Sequence, residues 1–196
     1  MKQAARFTQQ NEEKARYNFI LGQLYSKLNY PDSAYAAYQS VIDMKRKSPR
    51  SYVIQAHAMQ AGQFDYKAGD TLSFMEKYSD LLEDRENRPF LDVLNHQVAL
   101  FYDKQGNHEQ AIKYYNNSLR KQTNDRYLIA SNHRNLAEIY FKDAKYVNAG
   151  KYYDSTMVYL SNRTREFKNI KKKRDNLEDV IKYEAIAQNN DSILHV

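Results

Sequence analysis

Residues 94–119, LNHQVALFYDKQGNHEQAIKYYNNSL, and residues 130–156, ASNHRNLAEIYFKDAKYVNAGKYYDST, carry one pattern twice. Ala99 and Ala111 stand twelve residues apart, as do Ala137 and Ala149, and Tyr102, Tyr115, Tyr140 and Tyr153 keep matching offsets from them. Residues 15–41, ARYNFILGQLYSKLNYPDSAYAAYQSV, write it a third time, with Gly22 and Ala34 at the small positions and Tyr25 and Tyr38 at the large ones. Recurrence at a fixed offset is the signature of a repeat architecture. Tyr17, Ile20, Leu21, Leu24, Tyr25 and Leu28 recur at steps of three and four, the period of an amphipathic helix. Pro31 falls where a second helix would begin, a position that needs no N–H. Each copy thus predicts two antiparallel helices that approach closely through small residues, with tyrosines filling the space toward neighbouring helices.

The string Asn18-x2-Leu21-Gly22-x2-Tyr25 followed by Ala34-x3-Tyr38 resembles the tetratricopeptide (TPR) repeat, departing from it at Asn18, where tryptophan is usual, and at Arg46, where proline is usual. The fold class expected is all-α, a TPR α-solenoid of antiparallel helix pairs with a long C-terminal capping helix. Composition agrees, since 5 glycines and 3 prolines in 196 residues leave long unbroken stretches that strands would not have. The expected organisation is a polar extension over 1–12, about four helix pairs over 13–162 and a long basic helix with tail over 163–196. The second pair is degenerate: Ala56-x2-Met59-Gln60-x2-Gln63 with Leu72-x3-Glu76 keeps the period and loses the small contact. From Ala111 to Ala149 the spacing is 38 residues, about one helical turn beyond the usual repeat. In the last helix Phe167, Ile170, Leu177, Val180, Ile181 and Ile186 are expected to face inward and cap the array, as terminal units of repeat proteins do.

Chemistry is sparse. The chain has no cysteine, hence no thiolate nucleophile and no thiolate zinc site. His57, His96, His108, His133 and His195 form no HExxH pair, and no glycine-rich phosphate loop is present. Acid pairs such as Glu12-Glu13 and Glu83-Asp84 read as helix-end and loop charges. No enzyme activity, catalytic residue, metal or cofactor is expected. Net charge is +6, and residues 163–174 alone supply seven bases against Glu166, so the remainder is formally neutral and no nucleic-acid partner is expected. Lys171, Lys172, Lys173 and Arg174 form a candidate basic docking patch for an acidic protein. At about 100° per residue they spread round the helix, and Asp175, Glu178 and Asp179 offer them partners.

Tyr25, Tyr102, Tyr140, Tyr38, Tyr115 and Tyr153 are expected in the core, leaving Tyr114 and Tyr152 as candidates for exposure. A partner-binding groove would be lined by first-helix residues Arg16, Phe19, Gln23, Lys27, His57, His96, Lys104, Arg134, Glu138 and Lys142, a mixed and mildly basic strip. It does not reproduce the lysine-asparagine clamp with which chaperone-binding TPR domains hold a peptide carboxylate.

Residues 15–42, residues 83–119, EDRENRPFLDVLNHQVALFYDKQGNHEQAIKYYNNSL, and residues 171–194, KKKRDNLEDVIKYEAIAQNNDSIL, together resemble the TPR-containing outer-membrane lipoprotein of the Bacteroidetes type IX secretion and gliding machinery, the PorW/SprE family. The resemblance implies a scaffold on the periplasmic side of the outer membrane, with secretion-machinery proteins as partners and membrane attachment only through a lipidated cysteine outside this chain. These residues read as a soluble excised piece carrying no targeting signal. The competing readings are a TPR sensor module of a bacterial transcriptional regulator and a free-standing peptide-binding adaptor.

Overall fold

The computed structural model describes residues 1–66, 69–121, 124–183 and 186. Regular structure among them is helical throughout, with no strand. The chain divides into two compact units, Met1–Val98 and Ala99–Val196.

The first unit begins with a short helix α1 (Lys2–Phe7), which buries Ala5 while Phe7 stays exposed. Helices α2 (Asn11–Lys27) and α3 (Pro31–Ile42) form the first pair. Ala15, Ala34, Tyr38, Val41 and Ala56 make its core, and Phe19, Tyr25, Ile42, Met44 and Tyr52 pack on it. After a 3₁₀ turn at Lys45–Lys47 come α4 (Arg50–Ala61) and α5 (Thr71–Glu83), whose N-terminus is capped by Asp70 accepting from the Leu72 and Ser73 amides at 3.0 Å.

Here the register differs from the expected Leu72-x3-Glu76. Leu72 is 69% exposed, and the inward pair is Phe74-x3-Tyr78, with the two rings stacked at 4.7 Å. A connection from Gly62 to Asp70, against three residues between α2 and α3, leaves α5 free to enter in a different phase. The lost small contact is replaced by polar bonds. Buried Gln60 donates to Gln39 Oε1 at 3.0 Å and accepts from Lys77 Nζ at 3.3 Å, and the Tyr78 hydroxyl donates to the His57 carbonyl at 3.0 Å.

The 3₁₀ segment Arg85–Phe90 gives the ENRPFLD string a structural role. Asn87 is fully buried, donates to the Leu81 carbonyl at 2.8 Å and accepts from Arg50 Nε at 2.6 Å, while Arg50 also pairs with Asp84. Helix α6 (Leu91–Lys104) then runs across the division between the units.

In the second unit α6 continues into α7 (His108–Leu119), followed by α8 (Arg126–Lys142), α9 (Tyr146–Tyr159) and α10 (Arg165–Asn176). Ala99, Ala111, Ala137 and Ala149 are fully buried, as are Tyr115 and Tyr153. Helix α8 has 17 residues where α6 has 14. Leu177 breaks the regular helix after α10, and helical geometry resumes over 178–183, with the Ile181 amide bonded to the Leu177 carbonyl at 2.9 Å. Ile170 and Leu177 are buried, but Val180 and Ile186 are exposed rather than inward, and the part of the expected helix beyond 186 lies outside the described residues.

The turns inside three pairs are built alike. Asn29, Gly106 and Ala144 occupy equivalent positions with φ of 61°, 75° and 57°. The amide after each one bonds back to the first-helix tyrosine carbonyl: Tyr30 to Tyr25 and Asn107 to Tyr102 at 2.9 Å, Lys145 to Tyr140 at 2.8 Å. This is the Schellman arrangement, which satisfies terminal helix carbonyls through one left-handed residue. Ala144 bears a steric cost there of about 1–2 kcal/mol that glycine avoids. Ala144→Gly should therefore raise stability by about 0.5–1 kcal/mol after the added freedom of the unfolded chain is subtracted, read as a higher urea midpoint.

Candidate functional site

In the first unit Arg16, Gln23 and Lys27 are exposed on one face of α2. Phe19 lies on the same helix but is half-buried, its ring 5.7 Å from Tyr38 and 5.8 Å from Tyr52, so it is chiefly a packing residue. His57 and His96 are 8% and 6% exposed and do not offer an open strip. His57 borders a cavity of about 500 Å³ with Tyr35, Gln60, Phe74 and Lys77, and its Nδ1 has no hydrogen-bond partner among the described residues.

Burial, with the cations of Lys77 and Arg50 nearby, holds the His57 pKa down to about 3. A base depressed this way is neutral when folded and takes up a proton on unfolding below about pH 6.5. Its contribution is therefore complete above about pH 6.5 and shrinks as pH falls toward 3, at up to about 1.4 kcal/mol per pH unit. Urea midpoints at pH 7.5, 5.5 and 4.5 should fall more steeply for the native chain than for His57→Met, and equal slopes would refute this assignment.

In the second unit Lys104 and Lys142 are exposed, whereas Arg134 and Glu138 are engaged by α10. Arg134 pairs with Glu166, and Glu138 accepts from both Lys173 Nζ and the Tyr153 hydroxyl. The basic cluster is likewise partly spent. Arg174 Nε reaches both oxygens of Asp154 at 2.9 and 3.0 Å, Lys171 pairs with Asp175 at 2.9 Å, and Lys172 points to solvent. Glu178 and Asp179 face Lys182 instead of the cluster.

Tyr114 and Tyr152 are not exposed platforms. They stack on Tyr102 and Tyr140 with centroids 5.6 and 5.3 Å apart. His108 pairs with Asp143 at 2.8 Å, His133 stacks on Tyr159, and His195 lies outside the described residues. Among the described residues no three His, Asp or Glu side chains form a metal-ligand group, and no helix is long and apolar enough to cross a membrane. Two structurally telling residues escaped the spacing argument. Lys77 lies on the face that the Leu72 register turned away, and Ala37 was visible only as the residue standing where the other copies have Tyr114 and Tyr152.

Residues 15–48 and 94–127 match models of the tetratricopeptide repeat. These segments contain most of α2 with α3, and most of α6 with α7. The chain is also 28% identical over 124 residues to the transcriptional activator NprA of Geobacillus stearothermophilus, an alignment covering 58% of this chain and 30% of that protein. It thus spans about a third of that relative's length. With small residues and the second-helix tyrosines Tyr38, Tyr115 and Tyr153 buried at the repeat positions and a shared turn geometry in three pairs, the chain contains tetratricopeptide repeats and folds as an all-α protein of helix pairs.

Proposed function

We propose that the chain is a non-catalytic protein-interaction scaffold. The observation that carries this reading is the division of α2: its small residues Ala15 and Gly22 are buried in the helix pair, while Arg16, Gln23 and Lys27 remain as an exposed polar row on a fixed helix. Polar side chains on rigid elements suit recognition, because the backbone that carries them needs no ordering on binding. The finer reading is a scaffold linking type IX secretion and gliding components at the periplasmic side of the outer membrane, supported by the strings around Pro89 and after Arg174. The second is a TPR sensor module of a transcriptional regulator, supported by the 124-residue similarity to NprA.

Photo-crosslinking residues placed at Arg16, Gln23 and Lys27 in the native host provide the test. Crosslinks to envelope secretion proteins support the secretion scaffold. Crosslinks to cytoplasmic proteins, with altered transcript levels on deletion, support the regulator. Absence of any protein crosslink from all three positions overturns the interaction reading itself.

A further inference from the structure

The third and fourth helix pairs close the seam between their helices with stacked tyrosines, Tyr114 on Tyr102 with an interplanar angle of 18° and Tyr152 on Tyr140 with one of 10°. The first pair keeps the first-helix ring as Tyr25 but has Ala37 where the second ring would be. Among the described residues no aromatic ring stacks on Tyr25. What remains is an open groove of about 810 Å³, floored by Leu21, Tyr25, Ala36 and Ala37. Its rim is cationic: Lys2, Arg6, Lys14 and Lys47 line it, against Asp43 as the carboxylate among its lining residues. Asp43 is already engaged by Gln39 Nε2 at 2.8 Å.

We propose that this groove receives an acidic segment of a partner protein, which inserts one aromatic side chain against Tyr25 in the place that Tyr114 and Tyr152 take in the later pairs. The fold supplies its own template for the contact, since the same helix-pair geometry accepts a tyrosine at this position twice. Offset aromatic stacking adds to the area buried. The four cations select an acidic flank and speed its approach, an effect that salt screens. At about 100° per residue, Lys14, Asn18, Leu21 and Tyr25 point to the side of α2 opposite Arg16, Gln23 and Lys27. The groove is thus a second surface, and it deepens the protein-binding reading on which it rests.

The test uses the 196-residue chain and fluorescein-labelled peptides of sequence EDEYEDE, EDEAEDE and KKKYKKK, with binding followed by anisotropy. EDEYEDE is expected to bind saturably, and to bind at least about tenfold more tightly than EDEAEDE or KKKYKKK. Ala37→Tyr, which fills the groove with the chain's own ring, should weaken EDEYEDE binding at least about tenfold while melting no lower than the native chain. Lys14→Glu with Lys47→Glu changes only exposed residues and should weaken binding and flatten its salt dependence. Any of three results overturns the proposal: binding of EDEYEDE unchanged in the double charge variant, unchanged in a folded Ala37→Tyr chain, or weaker than binding to phosphatidylglycerol vesicles. If Ala37→Tyr leaves the crosslinks from Gln23 and Lys27 in place but EDEYEDE never binds, the groove proposal falls and the scaffold reading stands.

Discussion

Gly22→Leu is expected to destabilise the first helix pair by about 1–3 kcal/mol through overpacking. A Cβ built on Gly22 would lie 2.6 and 2.7 Å from Cδ1 and Cζ of the Tyr38 ring. That ring cannot swing aside, because Tyr38 is 1% exposed, its hydroxyl sits 3.5 Å from Ser26 Oγ, and Phe19 packs on it. Gly22→Ala sets two effects against each other. Alanine gains about 1 kcal/mol of helix propensity over glycine, while its Cβ enters a contact that the buried ring must yield to. The alanine variant should therefore lose less than the leucine variant. Adding Tyr38→Ala should make the pair cost less than the sum of its parts, since the two positions touch. Hydrogen exchange in α2 and α3 reads this locally, which suits a repeat protein whose segments open separately. Unchanged protection in Gly22→Leu would mean that the glycine is not there for close approach.

The later copies place Ala99 and Ala137 at the same point, which shows why the repeat was legible in sequence. A helix pair needs a short side chain where its axes come nearest, and that need falls on single positions with a fixed offset. Other features leave no such mark. The left-handed turn residue is Asn29, Gly106 or Ala144 in the three pairs, so its conformation is shared while its side chain is not. The phase of α5 depends on a connection whose path no local period encodes, and the Leu72 pattern pointed to the wrong face. Arg134 and Glu138 were legible as first-helix residues, but their pairing with Glu166 and Lys173 spans 32 and 35 residues and follows from where α10 docks. The resemblance built on ENRPFLD had a further physical source. Asn87 is kept by the Arg50, Asp84 and Leu81 network, so that string answers to folding as well as to any partner.

Tyr115→Ala is expected to cost about 3–5 kcal/mol, the range for removing a large buried aromatic side chain. Tyr115 is wholly buried among Ala99, Ala111, Leu136 and Ile139. Its hydroxyl ties three helices together, donating to Asp103 Oδ2 of α6 at 3.1 Å and accepting from Asn135 Nδ2 of α8 at 3.0 Å. Tyr115→Phe keeps the ring and removes those bonds, for about 1–2 kcal/mol, so the two variants separate packing from hydrogen bonding. The phenol also has a pH signature. Burial, then the Asp103 carboxylate, pushes its pKa well above the ordinary value of 10.0. A folded-state pKa raised above the unfolded one gives stability that is complete below about pH 10 and lost as pH rises beyond it. Tyr153 behaves the same way, through burial and then Glu138, and so continues to titrate when Tyr115 is changed. Between pH 9 and 11, Tyr115→Phe should therefore lose stability less steeply than the native chain while keeping part of the slope. A slope identical to the native one would show that the Tyr115 hydroxyl ionises as freely in the folded protein as in the unfolded chain, and would remove it from the network that joins α6, α7 and α8.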